Sequence, residues 1–136
     1  MSWENVEEFA KVLVQCVRDR AIRSTDGALQ PNARHSMAMR WRNLGVPSDA
    51  LREVIPDIVD HTLFALLFAI DDEQLRLKFI TETGKELDLL KHGDGLMAGW
   101  YSGSDGWRDM FSNERYFDDV ADEPQFYERG KLNPPK

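Results

Sequence analysis

Pro47-Ser-Asp-Ala-Leu-Arg-Glu-Val-Ile-Pro-Asp-Ile-Val-Asp-His-Thr-Leu-Phe-Ala-Leu-Leu-Phe-Ala-Ile70 is the stretch that decides the fold of this chain. Leu51, Ile55, Ile58, Thr62, Leu66 and Ile70 recur at steps of three and four, the repeat of one helix face, and Val54, Val59, Leu63 and Leu67 broaden it. From Leu63 to Ile70 every side is apolar, so the pattern predicts a central helix over about 48–72 that other elements of a small domain enclose. Ser48 is its expected N-cap. Pro56 withholds one amide from the backbone ladder and predicts a kink, or two abutting helices.

Upstream, a first helix is expected from about Ser2 to Arg20. Ser2 would cap it, Glu4, Glu7 and Glu8 sit at its positive end, and Arg18, Arg20 and Arg23 at its negative end. Its buried stripe reads Val6, Phe9, Leu13, Cys16 and Val17, which makes Cys16 a small core residue. Ser24-Thr-Asp-Gly27 reads as a turn. A second helix, capped by Asn32, carries Ala33, Met37, Trp41 and Leu44 on one face and stops at Leu44-Gly-Val-Pro47, where Gly45 takes the left-handed conformation.

Downstream, the apolar period falls from 3.6 to 2. Leu75, Leu77 and Phe79 alternate with Gln74, Arg76 and Lys78, and Thr83-Gly84 supplies a turn before Leu87-Asp-Leu89. The only candidate for a third strand is Met97 to Tyr101. Ser104 or Asp105 would cap a short last helix that turns Trp107, Met110 and Phe111 inward. The fold class expected is α+β, three to four helices around a buried central helix (about 48–72) with an antiparallel β-hairpin (about 74–90) packed on them. Residues 1–117 form the single domain, and 118–136, acidic and proline-bearing, a loosely ordered tail.

With 136 residues, one domain can bury a core without disulfide or metal staples. The longest apolar run is far shorter than the roughly 18 residues of a bilayer span. The start is acidic, unlike a secretory signal, and Cys16 stands alone, so a cytoplasmic location is expected. A net charge of −7 disfavours nucleic acid and anionic membranes as partners. The excess sits late in the chain: residues 1–53 hold eight Lys/Arg against seven Asp/Glu, residues 54–136 nine against seventeen.

Three groups carry chemistry. Asp57, Asp60 and His61 lie on the central helix, Asp57 and His61 four apart on one face, where a carboxylate could orient an imidazole. A single His there falls short of the HExxH pattern, and the simpler reading is a polar strip paired to arginines of the second helix. His35 and His92 are further candidates with no placement in the sequence. Residues 93–107 interleave glycines with Trp100, Tyr101 and Trp107, which with Asp105 form a candidate binding loop; without GxxxxGK[ST] or a full GxGxxG, no nucleotide cofactor is implied. The simpler reading is glycines in turns and aromatics closing the core. Arg34, Arg40 and Arg42 surround Trp41 with Arg18, Arg20 and Arg23 before them, a pattern that stacks bases, although no lysine extends it. Pairing with the chain's own acids is simpler.

No catalytic signature is complete, and no metal or cofactor is expected. Binding therefore stands ahead of catalysis: the expectation is a protein-binding module, an inhibitor or immunity-like neutraliser of a basic partner. The alternative is a small hydrolase or metal-binding enzyme using His61 with Asp57 or Asp60.

Overall fold

The computed structural model describes residues 3–117. Ser2 and the expected tail, 118–136, lie outside the described residues.

A 3₁₀ turn (Glu4–Val6) leads into α1 (Glu7–Lys11), a π-helical stretch (Val12–Arg18) and α2 (Asp19–Ala28), together one rod from 4 to 28. The π stretch explains why the expected stripe fails beyond Leu13. Wider turns delay the rotation of successive side chains. Val6, Ala10, Leu13 and Val14 are buried, but the next inward positions are Arg18, Asp19 and Ile22, while Cys16 and Val17 are exposed. The turn expected at Ser24–Gly27 is also replaced by helix, which continues to Ala28.

After a short loop comes α3 (Ser36–Leu44), whose N-cap is His35, with Nδ1 accepting from the Ala38 amide at 3.4 Å, in place of Asn32. Gly45 ends α3 at φ 73°, in the left-handed region its sequence position predicts. α4 (Ser48–Asp71) then runs through Pro56 without interruption, with Pro47 rather than Ser48 as N-cap.

The inner face of α4 is Ile55, Pro56, Asp60, Leu63, Leu67 and Ile70, which keeps Ile55, Leu63, Leu67 and Ile70 of the face expected but is turned away from Ile58 and Thr62 toward Pro56 and Asp60. Enclosure on every side does not occur: Ile58 is 59% and Phe68 54% exposed. The helix thus carries two stripes, and the described residues cover one of them.

β1 (Lys78–Ile80) and β2 (Glu86–Asp88) pair antiparallel with Phe79 opposite Leu87, and Gly84 makes the turn at φ 90°. The α+β class and the hairpin therefore stand as expected. Leu87 is buried, and Phe79 meets Phe9 edge-to-face at 5.5 Å, which docks the hairpin on α1. The Glu8 carboxylate adds a bond from the Glu82 amide at 2.7 Å.

Met97–Tyr101 is helix, not strand. Asp88 caps α5 (Leu89–Gly93) by accepting from the Leu90 and Lys91 amides. Asp71, at the end of α4, accepts from the Met97 and Ala98 amides at 3.1 and 2.8 Å and so starts α6 (Met97–Ser102) from a distant element. That cap has no local sequence signal. Gly106, rather than Ser104 or Asp105, is N-cap of α7 (Trp107–Phe111), on which Trp107 is buried and Met110 exposed. The core joins Val6, Ala10, Leu13 and Val14 of the rod to Leu63, Leu67 and Ile70 of α4, with Leu89, Met97, Tyr101 and Trp107 closing it.

Candidate functional site

The π stretch brings two charged neighbours, Arg18 and Asp19, into the interior, both 0% exposed. Charges are stable there only if paired and fully hydrogen-bonded. Asp60, on the inner face of α4, meets Arg18: Nε donates to Oδ1 at 2.6 Å and a terminal nitrogen to Oδ2 at 3.2 Å. From α6 the Tyr101 hydroxyl donates to Oδ1 at 2.6 Å, and from α7 Arg108 donates to Oδ2 at 3.0 Å. Four donors fill the four lone-pair positions of one carboxylate.

Asp19 completes the arrangement. It accepts from Arg18 at 2.8 Å, from the Ser112 hydroxyl at 2.8 Å and from the Asn113 amide at 2.7 Å, tying the segment after α7 to the rod. Tyr116 lies over the Arg108 guanidinium, 4.3 Å from ring centroid to Cζ. Burial alone would lower the Arg18 pKa, but its hydrogen bond to Asp60 and the negative charge of that carboxylate outweigh burial and raise it. Burial, reinforced by the Asp60 charge and hydrogen bond, pushes the Tyr101 phenol well above its ordinary range. Tyr101 is therefore a permanent donor at neutral pH.

Beside this network opens a cleft of about 290 Å³ lined by Asp57, Asp60, His61, Phe64, Tyr101, Ser102, Arg108 and Phe117. Asp57, Asp60 and His61 thus share one concavity with Tyr101 of the glycine-rich segment. His35 is not among the lining residues, and His92 has Nδ1 3.0 Å from the Asp88 carbonyl oxygen. Trp107 is buried against Trp3, Phe9 and Trp100, and its Nε1 has no hydrogen-bond partner among the described residues. The Asp105 amide donates to the Asp109 carboxylate. Of the four aromatic-loop candidates, only Tyr101 reaches the cleft.

The arginines holding Asp60 come from the rod and α7, not from the second helix as the sequence suggested. Of the arginine group near Trp41, Arg42 donates to the Ala33 carbonyl at 2.6 Å and so braces the loop before α3. Among the described residues no three His, Cys, Asp or Glu side chains are placed to hold a metal ion.

Chemically, Asp60 has no lone pair left for a proton or a ligand, so it acts as an anchor. The open margin of the cleft belongs to Asp57, His61, Phe64 and Ser102. Arg108 is the participant that the sequence did not disclose; Arg18 belonged to the arginine group read as pairing with the chain's own acids, but its interior position had no trace beyond the four-residue step Val14, Arg18, Ile22.

On the other side of α4, Val17, Ala21, Ile58, Val59, Thr62 and Leu63 line an apolar groove of about 220 Å³ between the rod and the helix. No described helix is long and apolar enough to cross a membrane. Comparison of the chain with protein-family models, curated proteins and solved structures finds no match.

Proposed function

We propose that the chain is a protein-binding module that acts through the outer face of α4. The observation that carries this reading is the second apolar stripe of that helix, with Val54, Ile58 and Phe68 exposed while the inner stripe packs into the core. Large exposed apolar side chains in register on one helix are what a partner covers. The excess of acids after residue 54 supports a basic partner, and with it an inhibitor or immunity-like role. A single, exposed Cys16 supports a cytoplasmic place of work.

The test is capture with the wild-type chain, with Ile58→Asp and with Asp72→Asn/Glu73→Gln, each at low and high salt. Loss of the captured protein with Ile58→Asp, and its weakening by salt and by the neutralised pair, is expected. Identical capture by all three chains overturns the reading.

A second reading, a small hydrolase using His61 with Asp57 while Asp60 serves as the anchor, is supported by their shared cleft with Ser102. It fails if His61→Ala leaves turnover of chromogenic ester and phosphoester substrates unchanged.

A further inference from the structure

The two arginines of the buried network are spent differently. Arg18, fully buried, gives away every N–H of its guanidinium, to Asp60, Asp19, the Ser112 hydroxyl and the Arg115 carbonyl. Arg108, whose side chain is 9% exposed, gives Nη1 to Asp60. Among the described residues its Nε and Nη2 meet no acceptor. Neither is sealed in, since the buried side-chain polar atom left without a partner there is Trp107 Nε1. These nitrogens are therefore open to the cleft that Arg108 lines.

Nε and Nη2 lie side by side on one edge of a guanidinium, the fork that grips both oxygens of a carboxylate. Asp60 at the other terminal nitrogen and the Tyr116 ring over the face, 4.3 Å away, hold that fork in position before any ligand arrives.

We propose that the cleft binds a free α-amino acid with an apolar side chain, its carboxylate on the Arg108 edge and its ammonium at Asp57. The inference goes beyond the protein-binding reading, does not depend on it and requires no turnover.

Charge selects the zwitterion. Asp19 and Asp60 balance Arg18 and Arg108, so the network is neutral as a whole, and Asp57 adds a negative charge from the α4 side of the cleft. A plain carboxylate would be repelled by Asp57, and a plain amine would leave the Arg108 fork unmet. A ligand with both charges answers both groups. Asp57 already has a partner, but the two oxygens of a carboxylate offer roughly four lone pairs, so an ammonium joins it without displacing what it holds.

Size and lining select the rest of the ligand. The cleft, about 290 Å³, stands at the small end of the roughly 300–1,000 Å³ typical of small-molecule sites, which suits one amino acid and not a nucleotide. Phe64 and Phe117 supply apolar walls for its side chain.

Isothermal titration calorimetry of the full chain tests this with phenylalanine and leucine, each beside its N-acetyl form, which lacks the ammonium, and its decarboxylated amine. The variants are Asp57→Asn and Arg108→Lys, with circular dichroism to confirm folding. At least one amino acid is expected to bind the wild type more tightly than about 1 mM, and its two analogues at least about tenfold more weakly. Asp57→Asn should erase the preference over the N-acetyl form and keep that over the amine. Arg108→Lys, which retains the charge and loses the fork, should do the reverse.

No binding of either amino acid tighter than about 1 mM overturns the proposal. So does equal binding of the amino acid and its analogues, or an Asp57→Asn chain that keeps the wild-type preference over the N-acetyl form. Asp57 is exposed, so that variant and the analogue series decide the matter even if Arg108→Lys fails to fold.

Discussion

Arg115 occupies the backbone acceptor that Pro56 leaves empty. Inside α4 a proline has no amide to give the carbonyl four residues earlier, which belongs to Arg52. The Arg115 guanidinium donates to that oxygen at 2.7 and 3.2 Å while its terminal nitrogens hold Asp26 at 2.7 and 2.9 Å. One side chain thus joins the end of the described chain, α4 and α2, and the helix continues through its proline.

Arg115→Ala should therefore cost about 1.5–3 kcal/mol, the range for hydrogen bonds to charged groups. In a Pro56→Ala background the loss should shrink by about 0.5–1.5 kcal/mol, because alanine in place of the proline restores the amide that the Arg52 carbonyl needs. Urea denaturation of the four chains measures the coupling. Full additivity would show that Arg115 does not serve that carbonyl.

Replacing Asp60 with Asn keeps the shape of the side chain and removes the anion shared by Arg18 and Arg108. Two buried cations left without it should destabilise the fold by about 3–5 kcal/mol, the cost of breaking a buried pair from one side. A fall of less than about 1 kcal/mol in chemical denaturation would mean that solvent reaches these groups freely.

The pH limits follow from signs. The folded Tyr101 pKa is raised by burial and by the Asp60 charge, so its contribution is complete below the ordinary phenol pKa of about 10 and is lost as pH rises beyond that value. An ultraviolet titration of the folded protein should find Tyr101 silent through the range where free phenols ionise, and Tyr101→Phe should remove no titrating group there. At the acid end, the hydrogen bond from Arg76 lowers the Asp88 pKa, and that from Tyr116 lowers Asp109. Their contributions are present above the ordinary carboxylate range and disappear as pH falls through the depressed values. Asp88→Asn should flatten that acid-side loss.

Two glycines of the 93–107 segment should respond oppositely to alanine. A Cβ on Gly99 meets nothing within 4 Å, and the residue lies exposed within α6, so Gly99→Ala should stabilise by roughly 0.4–1 kcal/mol. A Cβ on Gly106 would meet the carbonyl oxygens of Trp100 at 2.5 Å and Gly103 at 2.7 Å. These are backbone atoms that cannot swing aside, and Gly106→Ala should cost about 1–3 kcal/mol or more. Thermal unfolding of both variants checks the contrast. Equal effects would show that the segment is not packed as described.

The same contrast shows why the segment was only half legible. Its glycines and aromatics do serve turns and the core at Gly106 and Trp107. Its helix α6, however, starts on the carboxylate of Asp71, and a cap supplied from another element leaves no mark within the six residues it organises. The hairpin was readable because its signal is local: alternation at Phe79 and Leu87 and a glycine at the turn. Gly45 was readable for the same reason.

Local periodicity by itself determined that α4 exists, where it begins and ends, and that the chain combines helices with a two-stranded hairpin, because those features depend on residues three, four or two apart. Which stripe of α4 faces inward was settled only by tertiary structure. A helix apolar on two sides satisfies the pattern in either orientation, and the choice falls to Asp60, whose carboxylate must reach Arg18 and Arg108 from elements far away in the chain. Those arginines could not be seen as interior from their neighbours, since a π-helical turn shifts the rod's register just where the buried charges meet.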